Sequence, residues 1–167
     1  MPASATNEPS ASVDTPVSPC PIEQPNAITP PMPISAAPLP ERAGLTEDLA
    51  GVLTGARDFE DRLDLMRRWA GERRFQVGVQ LLRRDIDGER AGAAFADIAE
   101  TALAALLPAV DTDFARVPGA VPGGETAIIA MGRLGSREMT LASDLDLILI
   151  YDAPPDSTGS LGPRPLA

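Results

Sequence analysis

The sequence predicts an α+β chain in which a helical region precedes two short strands, with a proline-rich segment in front. Three observations carry that prediction. Of the 18 prolines among 167 residues, 11 fall in residues 1–40. Between residues 58 and 107 apolar side chains recur at spacings of three and four, the period of a helix with one buried face. Two short apolar runs then follow, over 126–131 and 145–151, separated by small, polar and charged residues and preceded by proline-glycine breaks, which is strand and turn chemistry.

Residues 1–42 carry only three charges ahead of residue 41, Glu8, Asp14 and Glu23, amid Pro, Ser, Ala and Thr. Such a segment buries too little apolar surface to offset the entropy of ordering, and it is expected to be disordered. The helical region spans 43–117. Thr46 is expected to cap a short helix over 47–55 closed by Gly55. Asp58 is the N-cap expected for a longer helix, with Glu60 and Asp61 at the positive end of its dipole. Its stripe runs through Leu63, Met66 and Ala70, with Trp69 alongside, and then Phe75, Val79 and Leu82, with Gly71 a place for a bend. Asp87-Gly88 supplies a turn and the next cap. The stripe Ala91, Ala94, Phe95, Ile98, Ala102, Ala105 and Leu106 follows, and so short a turn predicts two antiparallel helices whose alanines let the axes approach closely. Pro118-Gly119 and Pro122-Gly123-Gly124 end the helical pattern. Residues 118–152 then hold the strands, and 153–167 read as linker or tail.

Composition narrows the chemistry. The net charge is −10, histidine is absent, and all 14 basic residues are arginine. Those absences exclude His-based triads and His metal sites, Schiff-base chemistry and a P-loop, which needs its lysine. Acid, base and metal work falls to carboxylates. The single cysteine, Cys20, cannot form a disulfide framework within the chain, and a reducing cytoplasm is expected. No apolar run is expected to reach the ~20 residues of a bilayer span, so no membrane association is expected. The acidic balance argues against nucleic-acid binding, which rests on Lys and Arg neutralising phosphates.

One constellation carries chemistry. Asp144 and Asp146 stand two apart at the entry to the second apolar run, where the strand period of two puts both carboxylates on one face. Leu145, Leu147 and Leu149 are then expected to face the core. Paired carboxylates offer the hard oxygens that magnesium prefers. Gly135-Ser136 lies between the two runs, and a glycine with successive amides and a hydroxyl can cradle phosphate oxygens without lysine. One element holding a triphosphate and the other its metals is the division of labour that nucleotidyl transfer needs. Asp152, after the apolar run ILIY, is expected to be a strand terminator.

The stretch AMGRLGSREMTLASDLDLILIYD, residues 130–152, resembles the nucleotidyltransferase signature of the glutamine synthetase adenylyltransferase family. Upstream, RLDLMRRWAGERRFQVGVQLLRRDIDGERAG (62–92) and FADIAETALAALLPAV (95–110) resemble the helical region preceding its catalytic domain. The resemblance covers roughly residues 56–167 and does not extend into the proline-rich front. It implies a helical pair ahead of the first two strands of a polymerase-beta-like nucleotidyltransferase fold. It also implies ATP and Mg2+ as cofactors, with magnesium on Asp144 and Asp146 and nucleotide contacts from Gly135, Ser136, Arg133 and Ser143. The implied reaction transfers AMP to a tyrosine of glutamine synthetase, whose hydroxyl attacks the α-phosphorus as pyrophosphate leaves. PII-type signal proteins are the implied regulators.

The wording Gly-Ser-Arg-Glu-Met-Thr is closer to the adenylylating copy of the domain than to the phosphorolytic, adenylyl-removing copy. The family usually has lysine where Arg133 stands, and arginine's planar fork meets phosphate differently. A third carboxylate expected on a later strand is not found in these 167 residues, so the isolated chain is expected to be inactive. The competing expectation is a catalytically inert interaction fragment, with an exposed arginine group (Arg67, Arg68, Arg73, Arg74, Arg83, Arg84) facing an acidic partner.

Overall fold

The computed structural model describes residues 41–155, 157 and 159–165; the expectation of disorder over residues 1–40 lies outside them. Three helices, α1 (Arg42–Leu53), α2 (Phe59–Leu82) and α3 (Gly88–Phe114), are followed by strand β1 (Glu125–Ala130), a single helical turn α4 (Gly132–Gly135) and strand β2 (Leu147–Asp152). Mixed helix with a small antiparallel sheet is the α+β composition the sequence predicts.

Local chemistry sets the helix ends. The Asp58 carboxylate accepts from the Asp61 amide at 2.8 Å, and the Asp87 carboxylate accepts from the Arg90 amide at 2.9 Å, so both expected caps close orphan donors at helix starts. Thr46 does not cap. It lies one turn inside α1, and its hydroxyl donates to the Arg42 carbonyl at 3.0 Å, because α1 begins five residues earlier than the short helix expected from Glu47. Helix α2 ends in a Schellman arrangement: the Arg84 amide donates to Leu81 and the Asp85 amide to Gln80, with Arg84 itself at φ 62°.

The core gathers Leu45, Leu49 and Leu53 of α1, Met66, Trp69 and Val77 of α2, and Ala91, Phe95, Ala96 and Ile98 of α3. Phe59 and Arg62, at the start of α2, line one groove with Ala105 to Arg116 at the end of α3, so the two helices run antiparallel as expected. The second half of the α2 stripe is corrected. Phe75 is 57% exposed and Leu82 86%, while Gln76 and Gln80 are buried. Helix α2 runs unbroken through Gly71, so its inner face keeps phase from Met66 and Trp69 through Arg73, Gln76 and Gln80.

Helix α3 is also long and apolar enough to cross a membrane by length and composition alone, which corrects the expectation that no run reaches that length. Its alanines raise its hydropathy, and its buried face packs on α1 and α2.

A polar joint ties α1 to α2. One oxygen of Asp48 accepts from the Trp69 indole at 2.6 Å and from Arg73 at 2.7 Å, and Arg73 also donates to Gln76. Asp48→Ala leaves the nearly buried indole without its acceptor and is expected to cost about 1–3 kcal/mol. Urea unfolding followed by fluorescence of Trp69, the chain's one tryptophan, measures it.

Strands β1 and β2 pair antiparallel from Ala130 opposite Leu147 to Glu125 opposite Asp152. Ala130 and Leu147 pack against the helical core. The segment read as linker turns back: the Leu161, Gly162 and Arg164 amides donate to the carbonyls of Ala120, Pro118 and Val117.

Candidate functional site

The junction of β1, α4 and β2 collects the residues that the sequence singles out. The Met131 amide donates to the Asp146 carbonyl at 2.8 Å, one rung beyond the Ala130–Leu147 pair, so Asp146 is held in the ladder although β2 begins at Leu147. Asp144 lies in the preceding loop, and both aspartates are exposed. Strand alternation therefore governs Asp146 and not Asp144.

Of the three leucines expected to face the core, Leu147 does. Leu149 is 66% exposed, and Leu145 lies in the loop, half-exposed. Beneath that loop is a cavity of about 210 Å³ between α2 and α3, with Met66, Phe95 and Ile98 on its walls and Thr140, Ser143 and Leu145 along its rim.

The bend between the strands is more ordered than the expected loop. Gly132, Arg133, Leu134 and Gly135 form one helical turn, and Leu134 is 1% exposed, anchoring that turn in the core. The Gly135 amide donates to Met131 and the Ser136 amide to Gly132. These amides are spent inside the turn, and the exposed Ser136 hydroxyl donates to the Arg133 carbonyl at 3.4 Å. Gly135 is required by packing: a Cβ there would stand 2.7 Å from the Ala130 carbonyl oxygen.

Arg133 and Ser143 belong to one chain of polar contacts. The Arg133 guanidinium reaches the Thr140 hydroxyl at 3.5 Å, and that hydroxyl lies 3.0 Å from the Ser143 hydroxyl, which also accepts from the Thr140 amide at 2.9 Å.

The bend and the strand meet at Gly132. Its φ is +51°, and a Cβ placed on it would lie 2.3 Å from Oδ2 of Asp146. The carboxylate thus occupies the space that any other residue would fill. Gly132→Ala is expected to cost about 1–2 kcal/mol from the left-handed backbone alone, and to push the Asp146 carboxylate off the turn. Urea unfolding and the carboxyl carbon resonance of Asp146 report the two effects separately.

The donors here are hard oxygens, the class that magnesium takes, and the missing Cβ at Gly132 is what lets the Asp146 carboxylate lie against the turn. Among the described residues no group of three or more metal-capable side chains comes together. Asp144 and Asp146 are carboxylates of the type that could hold such an ion, with no third group beside them among the described residues.

Sequence reasoning missed Arg137. Its guanidinium donates to Asp97 and to Glu100 of α3, each at 2.7 Å. The bond to Asp97, more than the neighbouring Glu100 charge, raises its pKa above the ordinary arginine value. The available signal was an acidic pair at i, i+3 interrupting an alanine-rich stripe. The arginine group expected to face a partner is largely engaged within the chain: Arg73 holds Asp48, Arg67 holds Asp64, Arg83 holds Asp85, and Arg74 donates to the Leu141 carbonyl.

Comparison with known proteins bears on this junction. A family described as glutamate-ammonia ligase adenylyltransferase matches residues 26–162. The match begins inside the proline-rich front, which corrects the expectation that the likeness starts near residue 56. The chain is 48% identical over 129 residues to a protein of Brucella suis biovar 1 (strain 1330), and 46% identical over 129 residues to one of Mesorhizobium japonicum. It is 44% identical over 128 residues to one of Bradyrhizobium sp. (strain ORS 278). Each of these relatives is named bifunctional glutamine synthetase adenylyltransferase/adenylyl-removing enzyme, and each alignment covers 77% of this chain. The matched part spans only 13% of the length of these relatives. No solved structure matches.

Proposed function

The chain belongs to the glutamate-ammonia ligase adenylyltransferase family, and from that premise we propose that its strand junction is the ATP-holding part of an enzyme that transfers AMP to glutamine synthetase. The observation that carries this reading is the Asp146 carboxylate lying over Gly132, which joins the acidic strand entry to the glycine-serine turn. On this reading residues 118–152 are the opening of a polymerase-beta-like nucleotidyltransferase fold, entered from the helical region. The Gly-Ser-Arg-Glu-Met-Thr wording favours the adenylylating copy over the phosphorolytic one.

Each side chain has a defined task. The Ser136 hydroxyl and the Arg133 guanidinium bind phosphate oxygens, and Ser143 holds the loop that carries Asp144. Asp144 and Asp146 would hold magnesium, which when bound screens phosphate charge and favours displacement at phosphorus. The tyrosine hydroxyl of glutamine synthetase is the nucleophile, and pyrophosphate is the leaving group. We assign the protein to the cytoplasm, where glutamine synthetase and PII-type regulators would meet it.

The test is amide hydrogen exchange on the whole chain with and without millimolar ATP and magnesium. Slowed exchange confined to residues 132–146, and dependent on magnesium, is the expected result. Unchanged exchange there refutes the reading. The 167-residue chain by itself is expected to have no transferase activity, because Asp144 and Asp146 have no third carboxylate beside them among the described residues. Magnesium-dependent AMP transfer to glutamine synthetase by this chain alone would contradict that.

A further inference from the structure

Two arginines of this chain sit where a helix end ordinarily takes glycine. At the end of α4 the Arg137 amide donates to Leu134 and the Glu138 amide to Arg133, at 3.1 and 3.0 Å, with Arg137 at φ 59°. This is the same closing pattern that Arg84 makes at the end of α2, with φ 62°. A left-handed residue at this position strains any side chain with a Cβ, so glycine satisfies the backbone better at both places. Arg84 has no ion pair among the described residues. Arg137 has two, both to α3, across 40 and 37 residues of chain.

The partners are arranged to hold it. Asp97 and Glu100 are three apart, hence neighbours on one face of α3, and each accepts from a different nitrogen of the Arg137 fork. Glu100 also accepts from Arg42 of α1 at 2.5 Å, which ties the acceptor to a second helix. One turn toward the start of α3, Gly92 is buried, and a Cβ there would stand 3.3 Å from the Met139 carbonyl oxygen and 3.5 Å from that of Arg137. The backbone that follows the turn is therefore seated directly on α3, with the guanidinium fastening it.

We propose that Arg137 is a positioning residue that registers the Gly132–Ser136 turn, and through Gly132 the Asp146 carboxylate, against the helical layer. Its guanidinium is held by Asp97 and Glu100 of α3, so it acts through the turn. The proposal rests on the nucleotide reading above for what the turn holds, and on the geometry alone for the fastening. Arg137→Gly separates the two roles of the residue, because it keeps or improves the backbone fit while removing both ion pairs. Arg137→Lys keeps the charge and can restore contact with one carboxylate. Arg84→Gly makes the same backbone change at a distant helix end with no ion pair lost.

The experiment measures amide exchange of the full chain without nucleotide, and ATP–magnesium affinity, on all four proteins. Arg137→Gly is expected to speed exchange across residues 132–146 by about tenfold or more, the equivalent of losing charged hydrogen bonds. The α1, α2 and α3 core amides keep their rates. Nucleotide affinity falls in parallel, Arg137→Lys recovers part of both, and Arg84→Gly changes neither. Exchange over 132–146 that stays within twofold of the parent overturns the fastening. Faster exchange with unchanged nucleotide affinity overturns the positioning role. If the parent chain binds no nucleotide, the nucleotide reading fails and the positioning role with it, while the nucleotide-free exchange still reports the fastening separately.

Discussion

The chain carrying Asp144→Asn together with Asp146→Asn is expected to lose all magnesium-dependent protection of residues 132–146 by ATP. Asparagine keeps the shape and removes the charge, so the loss isolates what the carboxylates do for a divalent ion. Even outer partners of metal ligands are worth about 10–100-fold in affinity, so removal of two direct ligands is expected to cost at least the upper end of that range. Both side chains are exposed, and neither is needed by the core, so stability is expected to stay within about 0.5 kcal/mol of the parent. A protein that unfolds normally yet no longer responds to magnesium and ATP is the predicted phenotype. The same pair can be judged by activity in a chimera, with residues 41–155 of this chain replacing the matching stretch of the Brucella suis relative. Retained AMP transfer in the chimera, lost with the double substitution, supports the assignment. Transfer that survives the double substitution removes both aspartates from the mechanism.

Leu134→Ala is expected to have the largest effect on stability. Leu134 is 1% exposed in a turn of four residues, and it is the apolar side chain by which α4 enters the helical core. Truncating a buried leucine costs about 2–5 kcal/mol through lost transfer energy and the cavity left behind. A domain of this size has a total stability of only about 5–15 kcal/mol, so a large part of it depends on one side chain. The loss is not spread evenly. The turn has no other apolar anchor, so exchange across residues 132–138 is expected to accelerate before the α1–α3 amides respond. Urea unfolding gives the global cost, and residue-resolved exchange gives its distribution. Equal acceleration everywhere would show that the turn is merely carried along by the core.

Features set by neighbours in sequence were legible in the sequence. Asp58 and Asp87 bond to amides three residues on, and that spacing is visible without coordinates. The two apolar runs became β1 and β2 within one or two residues at each end. Thr46 misled because a mid-helix threonine bonded four residues back has the same local composition as a cap. Phe75 and Leu82 misled because hydrophobicity was followed across Gly71, whereas the helix kept its phase, left Val79 half-buried and buried two glutamines. At the site, the residue types were legible, whereas the meeting of Gly132 with Asp146 was not, because it depends on how the turn is set against the strand register. The Arg137 fastening could not be read, since its partners lie 37 and 40 residues away and only the fold brings them together.

The strand register has a consequence for where the hairpin opens. At its far end Glu125 faces Asp152, two carboxylates directly across a ladder, and like charges there repel. At its near end the Met131 rung and the buried Leu134 pin the strands to the helices. Transient unzipping therefore starts at the repelling end and travels inward, and the rung that carries Asp146 is the last to part. Breathing of the ribbon is thereby confined to the tip farthest from Gly132 and Asp146.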